Sequence, residues 1–344
     1  MDKYITHHRF DLMAKYLYLK YNNSEFYQEL YQKHILTFNQ AWEEPGNKSK
    51  IEDFIQSFEK LIESMKKFGF VDKKTIEVGK NGVIINGAHR LMVSYFLNLN
   101  PKFELSDKNG CETYHYDFFI NRNNYWKRTE VPYQNLDQIY TDTMALEYLN
   151  FKPKIRPIIF YPVSYTKFVK QEVETILNKY GNIYYFKKIK YNKCQLKNFI
   201  KELYRGESWI GGLFPNDSCG GKLDLCFEDN YTQMYLFEFH NLNNMINMKK
   251  ELRNLFKLEK HSVHIPDTEE ESFRIAAGFL NQNNLQFYNT DLNEKEKSIL
   301  QNIFKLPKSD KLCWNLKENK IVDDLKIIND PREYFYVNGY KIKM

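Results

Sequence analysis

Apolar residues recur at steps of three and four through the first part of the chain, which predicts helices before any strand. Phe10, Met13, Ala14 and Leu17 share one face of a first helix, and Phe26, Leu30 and Phe38 mark a second with looser spacing. The clearest stripe follows: Ile51, Phe54, Ile55, Phe58, Leu61, Ile62 and Met65. Ser49 with Glu52 reads as a capping box at its start, and Gly69 suits the position just past its end.

The period then changes. TIEV and VIIN are short β-rich runs around a Gly-Lys-Asn-Gly turn, whose Asn81-Gly82 pair favours the positive φ of a hairpin. AHRLMVSYFLN returns to helical spacing, CETYHYDFFI alternates like a strand, and NRNNYWKR reads as a polar loop. From Ile155 onward strands and helices alternate: IIFY, a helix over 167–180 ended by Gly181, IYYFKKIKY, and a helix over 194–204. LDLCF and QMYLFEF read as strands, then a helix over 243–258, strand SVHI, a helix capped by Asp267 with Glu270 three residues on, and LQFY as a strand. YFYVNGYKIKM reads as a second Asn-Gly hairpin. The expected class is therefore α+β in the first half and α/β in the second.

Composition narrows this only a little. With 42% hydrophobic and 16% aromatic residues in 344, the chain has too much apolar surface to be disordered, and its length favours more than one domain. Lys and Arg number 50 against 44 Asp and Glu, a net +6 that permits an anionic ligand without demanding nucleic acid. The five cysteines are odd in number and lack a CxxC pair, which suits a reducing compartment. No apolar run spans a bilayer and the N-terminus lacks a signal-peptide pattern, so a cytoplasmic location is expected.

The sharpest candidate chemistry is INGAHR. A strand entering a tight glycine turn that opens a helix leaves unpaired backbone N–H groups at the positive end of the helix dipole, where phosphate or carboxylate binds. Asn86, Gly87 and Ala88 make that turn, while His89 and Arg90 fall in the first helical turn. A guanidinium can fork onto phosphate oxygens and an imidazole can donate a hydrogen bond or move a proton. The bland alternative is that Gly87 only permits the turn, His89 is a core histidine, and Arg90 pairs with a carboxylate such as Glu77.

IEVGKNGVIINGAHRLMVSYFLN resembles the strand, [D/N]GxHR turn and helix of the ParB/sulfiredoxin superfamily, over about a quarter of the chain. That superfamily includes nucleotide-hydrolysing partition proteins, sulfiredoxins and free-serine kinases, so the resemblance implies nucleotide phosphate binding, with Gly87, His89 and Arg90 in contact with phosphate. Ala88 stands where kinase-like members often carry a second His, and the catalytic Cys of sulfiredoxins has no match. A broader likeness in RFDLMAKYLYLKY, INGAHR, MALEYL, RGESWIGG and KHSVHIPDTEEESFRIA resembles a poorly characterised group of bacterial proteins found with capsule or lipopolysaccharide biosynthesis genes. Asp323-Asp324 lacks the Gly-Ser element of a nucleotidyltransferase. The resulting regions are helices at 1–70, a ParB/sulfiredoxin-like domain at 71–150, an α/β domain at 151–290, and a helix and hairpin extension at 291–344.

The second half offers weaker candidates. Gly211-Gly212 and Gly220-Gly221 flank Pro-Asn-Asp-Ser and precede Lys222, as in a loop over a ligand or a plain surface turn; Leu223 after the lysine excludes a Walker A loop. Asp224 and Glu238, with His240, would converge on a divalent metal if their strands pair, although acids on strands usually form a polar face. Lys260, Ser262 and His264 would share one strand face as a second anion site; His261 would point away. The aromatic run over 111–126 would stack a base or sugar, or simply pack.

These readings favour an enzyme using a nucleoside di- or triphosphate with Mg²⁺ to phosphorylate a small hydroxylated metabolite or sugar for a surface polysaccharide. Gly87 and Arg90 would hold phosphate, His89 would assist charge or proton movement, and Glu77 would be the base. A ParB-like nucleic-acid-binding protein and a non-catalytic nucleotide sensor or scaffold are the alternatives. The first needs a helix-turn-helix and a basic face after the arginine motif, where the sequence turns strand-rich instead.

Overall fold

The computed structural model describes residues 1–43, 48–71, 74–125, 133–211, 219–289, 312–315, 320–323, 330–337 and 339–343. They form two compact units, Met1–Phe151 and Lys152–Met344, and helices and sheets mix in both.

In the first unit, α1 (Asp11–Lys20), α2 (Glu25–Asn39) and α3 (Ile51–Phe68) precede a three-stranded sheet of β1 (Ile76–Val78), β2 (Ile84–Asn86) and, after α4 (Ala88–Phe96), β3 (Phe103–Leu105). The sheet order is β2-β1-β3; β1 pairs antiparallel with β2 and parallel with β3. Gly82 takes φ +75° in the β1–β2 turn, as its Asn-Gly pair requires. The short α5 (Tyr116–Ile120) and α6 (Gln138–Phe151) close the unit.

The third helix ends as its stripe predicts, with Gly69 at φ +71° donating to Met65 O at 3.0 Å. Its start differs. Lys50 is the N-cap, and the Asp53 carboxylate, not Glu52, receives the Ser49 and Lys50 N–H groups at 3.1 and 3.3 Å. CETYHYDFFI is also corrected: only Tyr114 forms a bridge, to Arg9, and the chain then turns helical. Tyr116, Phe118 and Phe119 are buried there by three neighbouring positions of a helical turn, which five residues of alternation could not distinguish from a strand face.

Helix α1 is the core of this unit. It packs against α2, α4 and α6, and residues Asp11 through Lys15 are all buried with Leu17, Tyr18 and Leu19. Enclosure on every side carries its charged positions inside along with its apolar ones.

The second unit runs β4 (Ile155–Phe160), α7 (Lys170–Asn178), β5 (Gly181–Lys190), α8 (Lys193–Leu203), α9 (Lys222–Cys226), β6 (Tyr231–Phe239), α10 (Met245–Phe256), β7 (Val263–His264), α11 (Glu269–Leu280) and α12 (Asn283–Phe287). Then follow β8 (Leu312–Asn315), β9 (Lys320–Asp323), β10 (Tyr334–Val337) and β11 (Tyr340–Lys343). Helices and strands alternate from β4 to α8 as expected, and the four-stranded sheet β5-β6-β4-β7 is antiparallel at every pairing. All six residues of β4 are buried. Ile158 and Phe160 meet Val173 and Leu177 of α7 and Met248, Leu252 and Phe256 of α10, while α11 also packs on β4. An apolar run without alternation is what a strand covered on both faces needs.

Three further assignments change. LDLCF is helix α9 and LQFY lies in helix α12, both too short for periodicity to separate helix from strand. The cap of α11 is Thr268, whose hydroxyl accepts from Glu271 N–H at 3.1 Å, one residue beyond the Asp267–Glu270 pair. The C-terminal hairpin β10–β11 forms, with Gly339 at φ +82° in its turn, as one side of a sheet of order β10-β11-β8-β9. Asn284 Nδ2 donates to Tyr336 O at 2.7 Å, docking the hairpin on α12. The helix expected within 291–344 falls outside the described residues, as does the Pro-Asn-Asp-Ser stretch. Among the described residues no helix is long and apolar enough to cross a membrane.

Candidate functional site

The INGAHR segment folds as strand, turn and helix. Asn86, exposed, ends β2 opposite Glu77 on β1; Gly87 follows in the left-handed region at φ +93° and caps α4. The first intrahelical bond runs from Leu91 N–H to Gly87 O at 2.9 Å, so the amides of Ala88, His89 and Arg90 precede it and have no partner within the helix. They are the positive end of the α4 dipole.

Arg90 folds back over this turn. A Cβ built on Gly87 would lie 3.2 Å from Arg90 Nη2 and 3.2 Å from the Ile76 Cα, so glycine suits the positive φ and spares both neighbours a tight contact. Arg90 makes no hydrogen bond or ion pair with a described residue, and partial burial, with no carboxylate to oppose it, lowers its pKa. The pairing with Glu77 that the bland alternative required is absent. Glu77 likewise has no side-chain partner among the described residues.

His89 is partly buried. Its ring meets Phe58 edge-on with centroids 4.6 Å apart, and Nε2 lies 2.9 Å from the Tyr31 hydroxyl. Burial, reinforced by the charge of Lys15, holds His89 well below the usual histidine range, so it is neutral at physiological pH. Burial likewise pushes the Tyr31 phenol up, so it stays protonated.

Behind His89 sits a charged cluster. Asp11 accepts from Arg9 Nε and Nη2 at 2.8 and 2.9 Å and from Lys15 Nζ at 2.6 Å. Burial raises the Asp11 carboxyl, but Arg9 and Lys15 outweigh it and hold it well below the carboxylate range. Arg9 Nη1 donates to Ile84 O at 2.6 Å, tying α1 to the strand that enters the glycine turn. Lys15 Nζ is 3.2 Å from His34 Nε2, and His34 Nδ1 is 2.7 Å from Tyr31 O. Burial, then Lys15, lowers His34 to about 3. Nothing in the sequence alone singles out Tyr31, His34, Asp11 or Lys15. The signal available was the Asp11/Lys15 spacing of four, which on an isolated helix means a solvated pair. The aromatics Tyr114, Phe118 and Phe119 pack with Phe38 rather than forming a stacking surface.

The second unit treats its candidates differently. Buried Lys222 donates to Lys260 O at 2.6 Å and lies 4.8 Å from the Tyr161 ring centroid, so the ammonium closes a backbone carbonyl within an aromatic wall. Lys260 is in a single 3-10 turn at Glu259–His261 and its side chain is exposed; only Val263 and His264 are strand, so the shared face of Lys260, Ser262 and His264 does not exist. His264 Nε2 lies 3.4 Å from Glu271. The Asp224 and Glu238 metal pair also fails, because Asp224 is helical and pairs with Lys193 at 3.0 Å. Glu238 instead accepts from Tyr184 at 2.9 Å and lies 3.5 Å from Lys152. Among the described residues no three His, Cys, Asp or Glu side chains converge as metal ligands.

No protein-family model, no curated protein and no solved structure matches this chain.

Proposed function

We propose that the chain is a nucleotide-dependent phosphotransferase whose first unit holds the phosphates of a nucleoside di- or triphosphate at the amino end of α4. The observation that carries this reading is Arg90: a guanidinium free of described partners, folded over a left-handed glycine beside three amides with no intrahelical acceptor. The ParB/sulfiredoxin resemblance of the same residues points to nucleotide phosphate, and the capsule-associated likeness points to a small hydroxylated metabolite or sugar as acceptor. Glu77, in register with Asn86, is the carboxylate to take the hydroxyl proton as the acceptor oxygen attacks the terminal phosphorus, whose bond to the bridging oxygen breaks so that the nucleotide leaves one phosphate shorter. Catalysis would come from positioning and charge neutralisation.

The oxygen donors present suit Mg²⁺ carried in on the nucleotide better than a resident ion, since Glu77 is the one carboxylate in register with the turn's Asn86 on β2. Such an ion would neutralise phosphate charge. Isothermal titration of the full chain with adenosine and guanosine di- and triphosphates tests the first step. Saturable binding lost in Arg90→Ala is expected; no binding by the wild type, or equal binding by the variant, overturns the reading.

A further inference from the structure

We infer that Tyr31 holds His89 as the Nδ1–H tautomer, which makes His89 a hydrogen-bond donor to a fully ionised phosphate rather than a base. The ligand half of this inference rests on the function proposed above; the tautomer half stands on geometry alone.

Tyr31 is fully buried, and a buried hydroxyl proton needs an acceptor. The one side-chain partner of its oxygen among the described residues is His89 Nε2, at 2.9 Å. Were Nε2 protonated, it would donate to the phenol and leave the phenolic proton with no acceptor among the described residues, against the rings of Tyr18 and Phe58. The phenol therefore donates, Nε2 accepts, and the single imidazole proton of neutral His89 is on Nδ1.

The neighbouring histidine supports this. His34 Nδ1 faces the carbonyl of the same Tyr31, which can only accept, and its Nε2 faces the Lys15 ammonium, which can only donate. One residue thus orients two rings: its backbone oxygen fixes His34 and its hydroxyl fixes His89.

Nδ1 of His89 has no partner among the described residues, and the residue is only partly buried. The donors of the turn are then the α4 amides, the Arg90 guanidinium and the His89 Nδ1–H, with Glu77 the carboxylate beside them on β1. These donors select an acceptor-only ligand group, which a terminal phosphate with all its oxygens ionised is and a hydroxyl is not. His89 cannot take a proton through Nδ1, and its Nε2 is occupied by Tyr31. The base for the acceptor hydroxyl must be another group, consistent with Glu77.

The test is long-range ¹H–¹⁵N correlation NMR on the histidine-labelled full chain at neutral pH, with His89 assigned by its loss in His89→Gln. A protonated, pyrrole-type Nδ1 and an unprotonated, pyridine-type Nε2 are expected; the reverse assignment overturns the inference. Tyr31→Phe removes the phenolic donor, so the His89 signals should move toward the Nε2–H form. ADP affinity should fall several-fold to about tenfold, the size of one neutral hydrogen bond, while adenosine without phosphate should bind neither protein. Unchanged His89 signals in Tyr31→Phe also overturn it. If Nε2 proves protonated while ADP binds, the inference fails and the proposed function survives. If ADP does not bind, the proposed function fails with the ligand half, and the tautomer is judged on the wild-type spectrum.

Discussion

The glycine turn before α4 and the glycine turn before α9 look alike in sequence, each followed by a basic residue, and the structure uses them in opposite ways. Before α4 the cation is left without a described partner and the glycine is crowded by it. Before α9, Lys222 donates to Lys260 O, and Gly221, at φ +73°, has open space where a Cβ would go. The difference teaches that a basic residue beside a glycine marks a site only when its hydrogen bonds are unspent. An arginine with five donors folded onto bare amides can serve a ligand, whereas an ammonium already closing a carbonyl serves the fold.

Variants sharpen this contrast. The largest effect is expected at the cluster that braces the first turn: Asp11→Ala leaves Arg9 and Lys15 buried without a counter-charge and should cost about 3–5 kcal/mol in urea unfolding of the first unit. Next come the two cations. Arg90→Ala should lower nucleotide affinity by about 1.5–3 kcal/mol with little change in stability, because only a charge-assisted ligand contact is lost. Lys222→Ala should do the reverse, losing about 1–3 kcal/mol of stability with its carbonyl partner unpaired and leaving affinity unchanged. If Lys222→Ala abolished binding instead, the contrast would collapse.

Acid should act on the first unit through His34. Its folded pKa of about 3 lies below the unfolded 6.5, so the unfolded chain binds the extra proton. The stabilisation is complete above pH 6.5 and is lost as pH falls toward 3. Between neutrality and two units below it the loss from this one group is about 2 kcal/mol. Urea titrations of the wild type and His34→Asn should show a weaker pH dependence in the variant. The smallest effects belong to the glycines: Gly87→Ala and Gly221→Ala should each cost about 1–2 kcal/mol from positive φ. Only the first, whose Cβ would meet Arg90 and Ile76, should also weaken nucleotide binding.

Much of the fold was legible because its elements repeat a period long enough to be read. The stripe from Ile51 to Met65, the Asn81-Gly82 hairpin and the apolar run Ile158 to Phe160 of β4 each state their own geometry. Elements of five residues did not: Tyr116–Ile120, Lys222–Cys226 and Asn283–Phe287 are helices whose sequences alternate like strands. The site divides the same way. Gly87, His89 and Arg90 were readable from local order alone. Tyr31 and His34 were not, since their meaning depends on α2 bringing them to a turn more than fifty residues later in the chain, as the Tyr31–His89 separation of 58 shows. Asp11 and Lys15 read as solvated because nothing in a single helix says it will be enclosed on all sides.

The central claim is that the amino end of α4, and not the Lys222 region, receives nucleotide phosphate. Backbone amide NMR of the full chain during ADP titration tests it most directly. The account predicts the largest shifts at Gly87, Ala88, His89 and Arg90, with Lys222 and Lys260 unmoved. Shifts centred on Lys222, or none at the Gly87 turn under saturating ADP, would contradict it.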